Sequence, residues 1–238
     1  MANTRYVTSN RLSTEADKSR QHVLIIGIPA VLLLSFMFPV AWWFFTIFLI
    51  ITFLNAGSTK RAGARGEDAT LAMLSSLPDS YTIINQILVP DQRSRTGFTE
   101  LDFVVLGPNG VFVIEVKNNN SRKVGSEKDR QWTVYKVGRK GTPYTATIRN
   151  PIKQLKGQIW VLSNFIRERG YKIWVDGVVF FSNPDSSLEL NGRPSVPVIH
   201  AKGLTDYILK HEPRWTSKNV DGFVKDLASL KRLPNIKQ

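Results

Sequence analysis

Four side chains in this sequence are placed to do chemistry together: Glu67, Asp102, Glu115 and Lys117. Asp102 and Glu115 flank the run Gly107-Pro108-Asn109-Gly110, a strong turn signal between two apolar segments. If that turn closes a symmetric hairpin with Leu106 facing Val111, Asp102 falls opposite Glu115. Cross-strand Cβ atoms are then about 4.5–5.5 Å apart, and two like charges there repel. Lys117 lies two residues beyond Glu115 and shares its face. A divalent cation would remove the repulsion, since both carboxylates can be ligands. The other reading is a solvated strand end decorated with ordinary surface charge, and a slip of one residue would put the acids on opposite faces. Glu67 precedes Leu71 by four residues, on the stripe Leu71, Leu74, Leu77 that points inward, so it needs a cation or hydrogen-bond donors. Gln154 follows Ile152 at the edge of another apolar stripe, where an ordinary surface glutamine is the simplest reading. The chain has no cysteine and only His22, His200 and His211, far apart. Disulfides, zinc fingers, iron–sulfur clusters, thiol nucleophiles and His-rich zinc sites are thereby excluded. Metal chemistry must rest on carboxylates, which favour Mg²⁺ or Mn²⁺.

The elements that must position these groups follow from periodicity and punctuation. A helix is expected over 66–77, stopped by Pro78, and a strand over 81–89, followed by a basic polar loop over 91–99. Strands are expected over 101–106, 111–117 and 131–137, the last centred on Trp132. Asn150-Pro151 reads as an N-cap and N1 proline opening a helix to about Arg169, with Ile152, Leu155, Ile159, Leu162 and Ile166 at helical spacing. Strands over 173–182 and 196–200 and short helices over 203–210 and 219–230 complete an α/β fold: a mixed sheet flanked by helices.

Ahead of this domain stands a different kind of sequence. Residues 23–54 carry no charge and hold Trp42, Trp43, Phe44, Phe45 and Phe48, so the stretch is long enough to enter a bilayer. A cleaved signal peptide is disfavoured, because its apolar region is only about 7–15 residues. Pro29 and Pro39 interrupt the run, and basic residues flank it on both sides: Arg5, Arg11, Lys18 and Arg20 before, Lys60, Arg61 and Arg65 after. Both flanks on the cytoplasmic side favour a hairpin, whereas arms of about 15 residues are short for two passes, so hairpin and single pass both stand. The expected organisation is a polar cytoplasmic tail (1–22), the membrane segment (23–54), a flexible linker (55–64) and one domain (65–238). With 32 Lys and Arg against 19 Asp and Glu, a net charge of +13 suits anionic lipid or nucleic acid as partner.

Gly63-Ala64-Arg65-Gly66-Glu67, then the run from Thr99 to Asn118, then Trp132, then Asn150-Pro151-Ile152-Lys153-Gln154 resemble the nuclease-related domain (NERD) family. That family is placed in the restriction-endonuclease-like PD-(D/E)XK superfamily. The resemblance covers about Gly63 to Phe181 and implies a restriction-endonuclease-like sheet. It implies Asp102 and Glu115 as metal ligands, with Glu67 as the helix acid completing the site. Lys117 would be the catalytic lysine and Gln154 the polar residue of the following helix. Leu101 stands where the superfamily pattern has proline. The implied reaction is Mg²⁺- or Mn²⁺-dependent hydrolysis of phosphodiester bonds in nucleic acid, DNA first. Arg93, Arg95, Lys123 and Arg130, on loops adjoining the hairpin strands, are candidates for gripping backbone phosphates. The expected place is a bacterial inner membrane, entered through residues 23–54, with the domain facing the cytoplasm. A non-cleaving nucleic-acid-binding module and a lipid-bound scaffold on the same fold are the alternatives.

Overall fold

A computed structural model of the chain describes residues 1–138, 141–212 and 220–230. In chain order the elements are β1 (Asn3–Tyr6), α1 (Arg11–Met37), a 3-10 turn (Pro39–Ala41), α2 (Trp42–Asn55), α3 (Ser58–Ser75), β2 (Thr82–Pro90), β3 (Phe98–Gly107), β4 (Gly110–Lys117), β5 (Arg122–Gly125), β6 (Gln131–Val137), β7 (Pro143–Arg149), α4 (Pro151–Glu168), β8 (Val175–Phe181), β9 (Ser187–Leu190), β10 (Val198–His200), α5 (Leu204–Lys210) and α6 (Val220–Leu230). They form two compact units, one of Ser9–Arg65 and one of Met1–Thr8 with the chain from Gly66 onward. Asn219, the expected start of the last helix, lies outside the described residues.

The larger unit is built on a six-stranded mixed sheet in the order β1-β2-β3-β4-β8-β10. β2, β3 and β4 run antiparallel in sequence, and β8 then joins β4 in parallel, with β10 parallel beyond it. Both faces are covered, so the central strands are apolar throughout. On one face Val104, Leu106, Val111, Val113 and Val179 pack under Ile152, Leu155, Leu162 and Ile166 of α4 and Phe223 and Leu227 of α6. On the other, Phe103, Val105, Phe112, Ile114 and Val178 pack under Leu74 and Leu77, which carry on from α3, and under Leu204 and Ile208 of α5. A second sheet, β7-β6-β5-β9, lies to the side. Its Trp132 is fully buried, donates its indole N–H to the Ser126 carbonyl at 2.9 Å and stacks on Phe181. Asn150 caps α4 by accepting the Ile152 and Lys153 N–H groups, while its amide donates to the carbonyls of Ser126, Glu127 and Asp129.

Three departures from expectation concern the chain's ends and edges. The residues expected as a polar tail carry regular structure: β1 pairs in parallel with β2, and the helix starts at Arg11, capped by the Asn10 side chain. Once the apolar run nucleates a helix, extending it through polar residues is cheap. The stretch expected as a flexible linker turns helical at Ser58. Strands β5, β7 and β9 add a sheet around β6 that the sequence did not indicate, because short polar segments carry little alternation: β5 and β7 are held by pairing with β6, and β9 by pairing with β5.

The smaller unit is a helical hairpin. Arg20 lies over the Phe53 ring and Gly27 abuts Leu49, so α2 runs back along α1. A Cβ at Gly27 would come within 2.2 Å of Leu49 Cδ1, so any larger residue there would push the Leu49 side chain aside. Apart from that seam the arms face outward, with Ile25, Leu32, Phe36, Val40 and Phe48 exposed and Ala16 the buried residue of α1. A surface of this kind marks contact with lipid or protein.

Candidate active site

The β3–β4 turn sets the register that sequence suggested: Leu106 pairs with Val111 and Phe103 with Ile114. The paired ladder ends there, and one step beyond it lie Asp102 and Glu115, close enough for the Glu115 charge to act on Asp102. There Asp102 Oδ2 accepts the Val116 N–H at 2.8 Å, a side chain standing where a ladder carbonyl would otherwise bond. Glu115 is 1% exposed and held on both oxygens. Oε1 accepts from Lys117 Nζ at 2.5 Å and Oε2 from Gln158 Nε2 at 2.6 Å. Lys117 Nζ also donates to Gln154 Oε1 at 3.1 Å. Glu115, Lys117 and Gln154 are thus one hydrogen-bonded cluster between the end of β4 and the first turns of α4.

Asp102 holds its proton well above the usual carboxylate range. Burial is the main cause, the facing Glu115 charge adds to it, and Glu67 contributes a smaller push in the same direction. The Val116 N–H and the Lys117 ammonium pull the other way. The Asp102 and Glu115 carboxyls are thus close enough for one charge to raise the other group. Their oxygens are hard ligands of the kind Mg²⁺ and Mn²⁺ prefer, so the residues fit such an ion. Among the described residues, however, no three His, Asp or Glu side chains group closely enough to cage a metal by themselves. Glu67, expected as a third ligand, is half-buried and accepts from Gln86 Nε2 at 2.8 Å.

Two residues at this site were not found in the sequence. Gln158 donates to both Glu115 and the Glu100 carbonyl, the latter at 3.1 Å, and its Oε1 is buried without a protein partner. It follows Gln154 by four residues, on the same face of α4, and that spacing was a usable signal. Gln86 had no such signal. It takes φ +51° in the middle of β2, at the position facing Asp102 in the β2–β3 register. Ile84 and Ile87 then share the α4-side core, as do Leu101 and Val104 on the neighbouring strand, so alternation slips on both strands beside Asp102. A left-handed non-glycine residue inside a strand is strained, and such strain tends to gather at working sites. Gly66 brings α3 against the strand ends: a Cβ there would lie 2.2 Å from Asn118 Cβ and 2.9 Å from Ser182 Oγ.

The basic residues separate sharply. Arg95 and Arg130 are exposed. Arg93 is exposed too, and is held by Asp91 at 3.3 Å and stacked 3.4 Å over the Trp160 ring. Lys123 corrects the expectation of a phosphate-gripping surface: it is 0% exposed, under the second sheet. Its ammonium donates to the carbonyls of Ser121 at 2.7 Å and Asn119 at 3.1 Å. Burial, then the charge of Lys136, lowers it to about 8. Lys123 fixes the loop that follows Lys117 and presents nothing to a ligand outside.

Comparison with known proteins bears on this geometry directly. The family described as nuclease-related domain matches residues 62–182, a span that includes Glu67, Asp102, Glu115, Lys117, Gln154 and Gln158. An uncharacterized protein of Bacillus anthracis is 33% identical over 104 residues, which is 43% of this chain and 48% of the relative. The chain therefore matches about half the length of that curated relative. No solved structure matches.

Proposed function

The chain belongs to the nuclease-related domain family, and from that premise we propose that it is a membrane-anchored, metal-dependent nuclease acting on DNA at the cytoplasmic face. The observation that carries this reading is the cluster at the end of β4, where Lys117 is bonded to Glu115 and Gln154 while Asp102 lies close to Glu115. Asp102 and Glu115, with the Val116 carbonyl as a further oxygen, would hold a divalent cation, and Glu67 would support it through water. Such an ion supplies Lewis-acid polarisation of a phosphoryl oxygen and lowers the pKa of a bound water. Lys117 would position an attacking water and offset the charge that gathers on the phosphoryl oxygens. Gln154 and Gln158 keep Lys117 and Glu115 in place from α4. Arg93, Arg95 and Arg130 are the exposed cations available for backbone phosphates. Residues 23–54 anchor the chain in the bacterial inner membrane.

The test uses the full chain in detergent or nanodiscs, with DNA and RNA substrates and Mg²⁺, Mn²⁺ or EDTA, beside Asp102→Ala and Lys117→Ala. Metal-dependent cutting, lost in both variants, is the expected result. Salt-sensitive binding without cutting in all three proteins would establish a non-cleaving module instead. Binding to anionic vesicles alone, indifferent to Asp102→Ala, would establish a scaffold.

A further inference from the structure

The hairpin of residues 9–65 is built to stop inside a bilayer. We propose that it is a re-entrant anchor: it enters the membrane from one side, turns within the hydrocarbon and leaves by the side it entered. The inference rests on the membrane reading above and goes beyond it by fixing the topology.

Connectivity comes first. Strand β1 precedes the hairpin and the chain from Gly66 follows it, yet both belong to the same compact unit. Both ends of the apolar segment therefore start from one side, which a single pass does not allow. Length comes second. The apolar part of α1, from Val23 to Met37, is about 15 residues, and α2 is 14. At 1.5 Å per residue each arm reaches about 22 Å, and tilt shortens that further. The hydrocarbon core is about 30 Å thick; each helix is long enough to cross it only when the turn itself or the polar residues at the open end are counted in, so the apolar arms alone leave the turn short of the far headgroups.

The turn itself is the third observation. From Phe36 to Phe45 there is no charged, amide or hydroxyl side chain, so nothing at the apex seeks water. Phe36 and Val40 are 87% and 88% exposed, their side chains turned outward. The backbone is arranged to match. Phe38 donates its N–H to the Leu34 carbonyl at 2.8 Å, Ala41 donates to Phe38 at 3.0 Å, and Pro39 has no N–H to satisfy. Along α2, the Thr46 and Thr52 hydroxyls donate to the Trp42 and Phe48 carbonyls at 3.0 and 2.8 Å. In hydrocarbon, a Pro-broken helix is tolerated where a neighbouring helix, Ser/Thr side chains or a local 3-10 turn re-satisfies the freed backbone groups, as the turn Pro39–Ala41 does for the Phe38 carbonyl. At the open end the character changes: Arg11 and Lys60 both pair with Glu15, at 3.2 and 2.9 Å, and Lys18 and Arg61 add cations suited to the anionic headgroups of the entry side.

The absence of cysteine makes the test direct. Val40→Cys at the apex and the controls Ser9→Cys and Ser58→Cys at the open end are introduced singly into the full chain, reconstituted in sealed vesicles. Each is reacted with a membrane-impermeant maleimide from either compartment. A nitroxide at residue 40 is then probed with an aqueous nickel chelate. Both controls label from one compartment. The expected apex labels roughly tenfold slower or worse from both compartments, reacts fully in denaturing detergent, and is shielded from the chelate on both sides. Chelate access to residue 40 from the compartment opposite the controls would overturn re-entry in favour of a spanning hairpin. Access from the control side would show that the apex never enters the bilayer. Release of the whole chain from vesicles on washing would instead overturn the anchoring on which the proposal rests.

Discussion

Between the ordinary carboxylate range and its raised value, folded Asp102 keeps a proton that the unfolded chain has released. Stability without metal must therefore fall as pH rises through that window, starting near pH 4. Asp102→Asn removes the ionising group. In EDTA the variant should melt progressively higher than the wild type as pH increases, with the gap narrowed by Mn²⁺. Parallel melting curves across the range would show that Asp102 is not held this way. Gln158 allows a second residue-level test. Gln158→Leu takes a donor from a buried carboxylate, which costs about 1–3 kcal/mol. A lowered melting temperature and a lowered kcat with unchanged KM for DNA are expected, while an unchanged kcat would make Gln158 a spectator. The proximity of Asp102 and Glu115 was legible because a four-residue glycine-bearing turn fixes the register of every pair outward from it. Gln86 was not legible, since its positive φ is imposed by what packs around β2.

Among the elements, α3 is one whose placement a single methyl can disturb. Gly66→Ala would drive a Cβ into Asn118 and Ser182, both at strand ends beside the site, so α3 must shift away from them. Glu67 rides on the same turn and would move with it. The expected result is a cleavage rate reduced more than the melting temperature alone explains, measured at a temperature where the variant remains folded. A wild-type rate would mean that α3 need not touch the strand ends. The strongly periodic elements, α4 and the β3–β4 hairpin, could be read because their apolar faces meet a core. Strands β5, β7 and β9 could not, because Arg122-Lys123-Val124-Gly125 or Pro143-Tyr144-Thr145 becomes a strand only when β6 offers it partners.

At the scale of the molecule, the chain's first eight residues belong with the domain that resumes some sixty residues later. Thr8 donates its N–H to Asn85 Oδ1 at 2.9 Å and accepts from Asn85 Nδ2 at 3.0 Å, satisfying a buried amide in β2. Removing residues 1–8 would strip an edge strand and take both of these Thr8 bonds from Asn85. The truncated chain is expected to melt several degrees lower while keeping any membrane attachment, as judged by vesicle flotation. An unchanged melting temperature would mean β1 adds nothing to the sheet.

The sequence by itself determined the chemistry on offer and the contrast between an apolar uncharged stretch and a charged domain. It has oxygen ligands and no thiols, a turn that brings two acids face to face, and an uncharged stretch flanked by cations. These are local properties, set by residue type and by spacing along a strand or helix. Only the tertiary structure decided that Lys123 is buried, that Gln86 and Gln158 hold the acids, and that β1 closes back on the domain. Each of those depends on contacts between residues distant in sequence, where packing and buried hydrogen bonds outweigh local preference.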